Sequence, residues 1–330
     1  MLDQHLPGPR HQVLAQSGVG AAGTARHADR RHRLPGVRPR RCGGAVTTVD
    51  PRIEVRGAGV RFGDFQALRD VNWSLDGTGV VGLIGLNGAG KTTLIRSILG
   101  LQELDAGSIE IPIGRDAIGF CPDTPGFEPW LTATEVLAQS AALGGHVAGE
   151  TAYAPADALR IVGLDRAGHR RTAGFSRGML QRLGIAAALV RDPQVLILDE
   201  PTSALDPEGR QTVLDLIRTL GEHRTVVFSS HLLADVEDLT QEILVLNRGE
   251  TVYSGRTEDF LKQHASDPTI EVRFADGRVR KAAKPEWESL LSAAASEAGQ
   301  IDEIRTDLPS LSEAFFAAIG DTPEPVGEKS

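Results

Sequence analysis

The central part of the chain alternates short aliphatic runs with longer amphipathic stretches. The runs VVGLIG, VLILD, TVVFSS and EILVL are continuous and branched-aliphatic, which is typical of strands that are buried on both faces. Residues 207–220 place their apolar side chains on one helical face, at Val213, Leu216, Ile217 and Leu220. This alternation predicts a parallel sheet flanked by helices, which is an α/β core.

Two segments before and within this core follow other patterns. IEVRGAGVRFG and VNWSL combine β-rich runs with glycine turns and predict short antiparallel strands. Residues 127–190 lack strand signals and are rich in alanine and leucine. We therefore expect an antiparallel β subdomain and an inserted helical subdomain within a main domain of residues 51–257.

The pattern changes again after residue 257. TIEVRF and RVRK flank the dipeptide Asp276-Gly277, an arrangement that predicts a β-hairpin. Helices are predicted from Pro285 and after Ser310, where Ser310 and Glu313 have the spacing of a capping box. Residues 258–330 are thus expected to form a small α+β accessory domain.

The first 45 residues differ in charge from the rest. They hold eight arginines against Asp3 and Asp29, a formal charge of +6, whereas the whole chain carries −9. This proline- and glycine-rich stretch has almost no apolar periodicity and cannot bury enough surface to offset the entropy of ordering. We expect residues 1–50 to be a disordered basic leader. A nucleic-acid arm, a membrane-surface arm, a targeting peptide and a natural start near Val46 are the alternatives.

Composition further restricts the class of protein to which the chain can belong. No apolar run approaches the roughly 18 residues of a membrane span, so any membrane contact is expected to come through a partner. Cys42 and Cys121 lie in unlike contexts, which supports neither a disulfide framework nor a zinc site and favours a reducing cytosol.

The stretch GLNGAGKT follows a predicted strand and precedes a predicted helix, and it satisfies the P-loop pattern in full. Glycines let the backbone wrap closely round a phosphate and point its N–H groups inward, where the helix N-terminus adds positive potential. Lys91 is expected to meet the β- and γ-phosphates, Thr92 to supply a hydroxyl to Mg²⁺, and Thr93 to touch the α-phosphate. The remaining loop positions are Gly85, Leu86, Asn87, Gly88, Ala89 and Gly90.

The run VLILDEP delivers two carboxylates at the carboxyl end of a predicted buried strand, where α/β sheets bind ligands. Asp199 suits the coordination shell of Mg²⁺ and Glu200 suits a water molecule. Together with the P-loop, they predict a nucleoside triphosphatase.

With these motifs in order, residues 53–257 resemble the ATP-binding subunit of an ABC transporter. The resemblance implies a P-loop NTPase core of the ABC type with antiparallel β and helical subdomains. Phe62 resembles the aromatic that stacks on adenine, and His231 the histidine that senses the γ-phosphate. FSRGMLQRLGIA, residues 175–186, resembles the family signature, and SALD, which ends at Asp206, resembles the loop that crosses the dimer interface.

The resemblance implies that two copies close around two MgATP, each site being completed by Ser176 and Gly178 of the other copy. Arg177 and Met179 replace the usual glycine and glutamine of the signature. Asp123 stands where the family has a glutamine that reaches Mg²⁺ or the attacking water. Such variants are familiar among exporter ATPases, so export is favoured over import.

The expected function is therefore that of the ATP-hydrolysing subunit of an export system, at the cytoplasmic face of the plasma membrane. It would drive a separate transmembrane permease through a surface in residues 128–143, with Trp130 and Leu131 as candidates. A non-transport ABC ATPase that acts on nucleic acid or ribosomes is an alternative, which the acidic body disfavours. A nucleotide-sensing regulatory subunit is another, which the complete set of catalytic residues disfavours.

Several of these residues also have a plain structural interpretation. Phe62 could be core, and His231 could be a helix-start or surface residue. Ser176 and Gly178 are expected to cap the following helix as well as to present N–H groups to a phosphate. Asp123 could be a turn residue.

Overall fold

A computed structural model of the chain describes residues 53–143, 153–203, 205–296 and 301–320. The predicted leader, residues 1–50, lies outside these residues. The strands are β1 (Ile53–Phe62), β2 (Phe65–Leu75), β3 (Gly79–Ile84), β4 (Ala106–Glu110), β5 (Ile118–Cys121), β6 (Val195–Leu198), β7 (Thr225–Ser230), β8 (Glu242–Asn247), β9 (Glu250–Arg256), β10 (Thr269–Phe274), β11 (Val279–Ala283) and β12 (Ile301–Asp307).

The helices are α1 (Lys91–Ile98), α2 (Ala133–Leu143), α3 (Pro155–Ile161), α4 (Arg177–Leu189), α5 (Pro207–Gly221), α6 (Leu233–Leu239), α7 (Thr257–His264), α8 (Trp287–Ser296) and α9 (Leu311–Ile319). None of the helices in the described part of the chain is long and apolar enough to cross a membrane.

A six-stranded sheet forms the centre of the fold, in the order β5-β6-β7-β3-β8-β9. Its first five strands are parallel, and β9 joins as an antiparallel edge strand. Every residue of β6 and β7 is buried, as is typical of central strands in a parallel sheet that is covered on both faces. The predicted α/β core is confirmed, with the carboxyl ends of β3, β6 and β7 at one edge of the sheet.

An antiparallel sheet of order β2-β1-β4 lies beside this core. The predicted strand VNWSL is the second half of a longer strand, β2, which pairs with β1 along its whole length. Apolar residues of β1 and β2 share a buried cluster with β3 and α1, including Val55, Leu68 and Leu94. The sheet therefore packs against the strand and helix that flank the P-loop.

The expected helical subdomain contains α2, α3 and α4. Within its described residues, 127–143 and 153–190, the β-pairing is a single isolated bridge between Thr132 and Arg171. Val136, Leu159 and Leu183 bring the three helices into one buried cluster with the central sheet. After α4, a short connection leads to β6, the strand that precedes the two acidic residues.

The C-terminal segment divides into two parts. Strands β11-β10-β12 form an antiparallel sheet whose buried face, with Ile270, Val272 and Phe274, packs with α8 into a small separate core. Helix α9 leaves this sheet and packs against α6 and α7, where Leu311 and Phe315 join the core of the central sheet. The predicted hairpin and capping box are both present.

Candidate active site

The P-loop connects β3 to α1 over residues 85–90. Gly90 has a φ of 104°, and a Cβ there would lie 2.8 Å from the carbonyl oxygen of Ala67. A Cβ on Gly85 would lie 2.5 Å from the carbonyl oxygen of Leu246. These two positions require glycine because neighbouring backbone approaches too closely for any side chain. Since no side chain caps α1, its first N–H groups are available to an anion.

Lys91 lies at the start of α1, with its side chain 7% exposed. Its Nζ donates to the carbonyl oxygens of Gly85, at 2.7 Å, and Leu86, at 3.4 Å. The same Nζ lies 3.4 Å from Oε1 of Glu200. A buried ammonium group is thus held between the P-loop backbone and the carboxylate that follows β6.

Asp199 is the centre of a hydrogen-bonded group beneath the P-loop. Thr92 Oγ1 donates to its Oδ2 at 3.0 Å, so two of the residues predicted to hold Mg²⁺ are in contact. Ser229 Oγ donates to the other oxygen, Oδ1, at 2.6 Å and accepts the backbone N–H of Glu200 at 2.8 Å. A role for Ser229 was not predicted from the sequence. The signal that could have indicated it is the pair of serines that ends the otherwise apolar strand TVVFSS.

Glu200 and His231 form the outer part of the same group. Glu200 Oε2 lies 2.7 Å from His231 Nδ1, and the Glu200 side chain is 16% exposed. The φ of Glu200 is 47°, in the left-handed region that a residue with a Cβ seldom occupies. Strained backbone of this kind is often found at functional sites. One carboxylate oxygen of Glu200 faces Lys91 and the other faces His231.

The remaining predicted residues are placed elsewhere by the structure. Ser176 accepts the Met179 N–H at 3.3 Å and begins α4, while Asp206 accepts the Gly209 N–H at 2.9 Å and begins α5. Both therefore cap helices. Gly178 lies in the first turn of α4.

Phe62 and Asp123 are exposed residues outside the group around Asp199. The Phe62 side chain is 51% exposed at the end of β1, which excludes the core interpretation. Asp123 accepts the N–H of Thr124 at 2.8 Å, as a turn residue does. The structure thus leaves both side chains at the surface, outside the contacts that join Thr92 to Asp199.

A buried carboxylate that the sequence did not indicate joins α6 to α5 and to the loop that follows Glu200. Asp235, 1% exposed on α6, accepts hydrogen bonds from Thr202 Oγ1 at 2.8 Å and Arg210 Nε at 2.7 Å. Thr202 follows Glu200 by two residues, and Asp235 follows His231 by four. The bonds that Asp235 accepts thus tie together the two loops that carry Glu200 and His231.

A cavity of about 400 Å³ adjoins the P-loop and His231. Leu86 and Arg210 line it together with Phe315 and Phe316 of α9. The C-terminal helix therefore borders the candidate site, which was not apparent from the sequence.

The fold and this geometry define a P-loop nucleoside triphosphatase. The family described as ABC transporter matches residues 68–203. The chain is 38% identical over 206 residues to an uncharacterized ABC transporter ATP-binding protein of Bacillus subtilis, which covers 61% of this chain and 70% of that protein. It is 30% identical over 234 residues to the Nod factor export ATP-binding protein I of Burkholderia orbicola, covering 68% and 77% of the two chains.

Among solved structures, the ATP binding subunit of an ABC transporter superposes with a TM-score of 0.57 at 30% identity, over 64% of this chain and 92% of that one. The chain belongs to the ATP-binding proteins of ABC transporters. It therefore has the nucleotide-binding ATPase domain of that family, whose ATP-binding subunits generally pair with a transmembrane permease. The predicted family, fold class and ATPase activity are confirmed.

Proposed function

We propose that this ATPase supplies the energy for an export system. The Ser-Arg-Gly-Met signature, which includes Arg177 and Met179, supports export, and so does the similarity to a protein named for Nod factor export. The observation that carries the assignment of the site is the convergence of five side chains at one edge of the sheet. They are Lys91, Thr92, Asp199, Glu200 and His231.

ATP would bind with its phosphates in the loop of residues 85–90, against the N–H groups that open α1. Lys91 would exchange its bonds to the Gly85 and Leu86 carbonyls for the β- and γ-phosphates. Thr93 would contact the α-phosphate. Phe62 would stack on adenine, a role that its exposure supports.

The oxygen atoms of Thr92 and Asp199 form a donor set that fits Mg²⁺, which prefers one or two protein oxygens together with phosphate and water. Bound there, Mg²⁺ would neutralise charge on the phosphates. Asp123, whose carboxylate accepts the N–H of its own turn, is assigned to the hydrated outer shell. Ser229 would fix the orientation of the Asp199 carboxylate.

Glu200 would polarise the attacking water once Lys91 moves to the phosphates and releases its carboxylate oxygen. His231, already 2.7 Å from the second oxygen of Glu200, would orient the γ-phosphate. Phosphoryl transfer demands mainly positioning and charge neutralisation, which these groups supply.

The complete site would require two ATPase subunits, either two copies of this chain or this chain with a paired subunit. Ser176 and Gly178 lie at the N-terminus of α4, and Ser176 is exposed, so both are available to a nucleotide held by the other subunit. Asp206 would lie in the loop that crosses between the subunits, where its cap on α5 holds the loop in place.

The permease would contact the surface around α2. Trp130 is 62% exposed, whereas Leu131 packs partly against the core, so we assign the contact chiefly to Trp130. Such a contact would place the chain at the cytoplasmic face of the plasma membrane through its partner. Residues 258–330 would act as an accessory segment to the ATPase domain.

The decisive experiment replaces Glu200 with glutamine. Glu200→Gln should lower steady-state ATP turnover by roughly 100-fold or more, because a general base contributes on that order, while ATP binding and ATP-dependent dimers persist. Turnover is measured by phosphate release and dimers by size-exclusion chromatography with light scattering. Glu222→Gln, at the end of α5, is the matched control. Undiminished turnover in Glu200→Gln would contradict the assigned role.

A further inference from the structure

Strand β12 forms one edge of the C-terminal sheet, and no strand among the described residues pairs with its outer side. Its burial pattern shows six exposed residues and one half-buried residue. Ile304 lies opposite Val272 on the face that packs with α8, yet it is 51% exposed. Among the described residues, helix α8 packs mainly with β10 and β11, and the apolar side of β12 stays largely exposed. An open edge of this kind is a template for pairing with another strand.

The opposite face of the sheet carries charges in ordered rows. In one row, Glu271 of β10 lies between Lys281 of β11 and Arg305 of β12. Lys281 Nζ approaches Glu271 Oε2 to 2.8 Å. Each row residue has neighbours of opposite charge across the strands, the arrangement that stabilises a sheet.

The second row reverses the signs on β10 and β12, and its residue on β11 is the uncharged Val279. Arg273 of β10 lies opposite Glu303 of β12, and Arg305 Nε lies 3.2 Å from Glu303 Oε1 along the strand. One row therefore ends at the open edge in a positive charge, Arg305, and the adjacent row ends in a negative charge, Glu303. The two side chains are 63% and 42% exposed respectively.

The charges along the outer edge of β12 are complementary to those of a second, antiparallel copy of the same edge. When two antiparallel strands pair about a two-fold axis normal to the sheet, opposite residues must lie on the same face, so each register is centred on one residue. Centring on Ile304 places Glu303 opposite Arg305 of the second copy, twice, and brings the two exposed Ile304 side chains together. Both charge rows then continue with alternating sign into the second sheet.

The neighbouring registers are unfavourable. Centring the pair on Glu303 places two glutamates directly opposite each other, and centring it on Arg305 places two arginines opposite each other. Like charges in these positions are destabilising. The sequence IDEIRTD thus favours the register centred on Ile304 over the two registers adjacent to it.

We propose that two copies of this chain associate through their β12 strands, which joins the two three-stranded sheets into one six-stranded antiparallel sheet. The partner is a second copy, because the charge order of the edge complements itself. This interface lies outside the P-loop and signature residues, so it holds two ATPase subunits together whether or not ATP is bound.

The test uses the full-length chain without nucleotide and with EDTA, in sedimentation velocity up to about 100 μM. The unsubstituted protein should form dimers. Arg305→Glu makes both residues of each cross-strand pair acidic, and Glu303→Arg makes both residues basic. Each variant alone should raise the dissociation constant by about tenfold or more, since two pairs per dimer change from attractive to repulsive.

An equimolar mixture of the two variants provides the rescue. In a mixed dimer the edge of one copy carries two arginines and the edge of the other carries two glutamates, so both cross-strand pairs are again of opposite charge. The mixture should dimerise about as tightly as the unsubstituted chain, whereas each variant alone should dimerise about tenfold or more weakly. Loss of folding cannot produce this result, because a misfolded chain is not restored by mixing.

Lys281→Glu is the matched control, since Lys281 has the same charge as Arg305, is 60% exposed and lies on the other edge strand of the same sheet. It should leave dimerisation unchanged. The proposal is overturned if the unsubstituted chain stays monomeric without nucleotide, if the mixture fails to associate, or if Lys281→Glu acts like Arg305→Glu. A chain that is monomeric alone but loses its permease on Arg305→Glu would assign the edge to the permease instead.

The outcome is separable from the proposed ATPase mechanism. Lys91→Ala should lose ATP-dependent dimers and keep the β12 dimer. Arg305→Glu should lose the β12 dimer and keep ATP binding. Failure of one result leaves the other intact.

Discussion

Two lysine–glutamate pairs occur in different regions of this molecule and behave differently. Lys91 and Glu200 lie 3.4 Å apart at the edge of the central sheet, with 7% and 16% of their side chains exposed. Lys281 and Glu271 lie closer, at 2.8 Å, on the C-terminal sheet; Glu271 is 15% exposed, but Lys281 is 60% exposed. Water screens the second pair, so the shorter distance does not make it the stronger contributor to stability.

The surroundings of the two pairs explain the difference. The central pair lies where fully buried parallel strands end, and its groups also bond to P-loop carbonyls and to His231. The C-terminal pair lies on the face of its sheet that is turned away from α8. Buried charges at the end of a rigid sheet can be held in place for binding a ligand, whereas exposed charges mainly determine which surfaces associate.

The largest effect is expected at the boundary between these regions. Phe315 of α9 is 1% exposed and belongs to the core of the central sheet, although it lies in the C-terminal segment. Phe315→Ala should lower the free energy of unfolding by about 3–5 kcal/mol, through lost burial and a residual cavity. Urea denaturation measures this change. Leu308→Ala, at a side chain 72% exposed, should change it by less than about 0.5 kcal/mol. If Phe315→Ala and Leu308→Ala changed the free energy of unfolding equally, α9 would not be part of the core.

The next effect concerns the two lysines themselves. Lys91→Ala should weaken ATP binding by about 100-fold, because it removes charge-assisted bonds to phosphate worth roughly 3 kcal/mol. Lys281→Ala should leave ATP affinity unchanged. Isothermal titration calorimetry distinguishes them, and normal affinity in Lys91→Ala would refute the P-loop assignment.

A smaller effect is expected at Ser229, which bonds both to Asp199 and to the Glu200 backbone. Ser229→Ala should lower ATP turnover by about tenfold, equivalent to one net hydrogen bond to a charged group, with little loss of ATP affinity. Ser97→Ala is the control, because Ser97 Oγ is buried without a hydrogen-bond partner in the described chain. If both variants behave alike, Ser229 has no orienting role.

The smallest effect is expected from pH on the C-terminal sheet. Hydrogen bonds from Lys281 and then Arg273 lower the pKa of Glu271 below its ordinary value of 4.5. A carboxyl with a depressed pKa stabilises the fold above its unfolded pKa and loses that contribution as pH falls through its folded pKa. Glu271→Gln should therefore be slightly less stable than the unsubstituted chain at pH 7, and the difference should shrink as the pH falls below the ordinary pKa of 4.5 and through the lower pKa of the folded state. A difference that persists in acid would exclude the ion pairs as its cause.

Much of the site could be predicted because its residues are close in sequence or carry distinctive motifs. The P-loop from Gly85 to Thr92 is such a segment, and the Asp199-Glu200 pair ends an aliphatic strand. Ser229 and Asp235 could not be predicted in this way. Asp235 pairs with Arg210, 25 residues away, and a single acidic residue in a short helix gives no sign of its partner.

The predicted boundary at residues 257–258 stays a prediction. The hairpin and the capping box could be predicted because the residues that form a turn or a helix cap are close in sequence. The packing of α9 against the central core could not be predicted, although the sequence showed which face of this helix is apolar. An amphipathic helix shows which face it buries but not the surface that receives it.

The sequence by itself determined the class of the protein, its alternating strands and helices, and the groups that would meet phosphate, metal and water. These depend on periodicity, glycine conformation and motif spacing, which are properties of short stretches. Only the tertiary structure decided that Glu200 faces both Lys91 and His231, that Asp235 joins their supporting loops, and that β12 presents an open, self-complementary edge. Such relations depend on which distant segments come within about 3 Å of one another, and that is fixed by the packing of the whole chain.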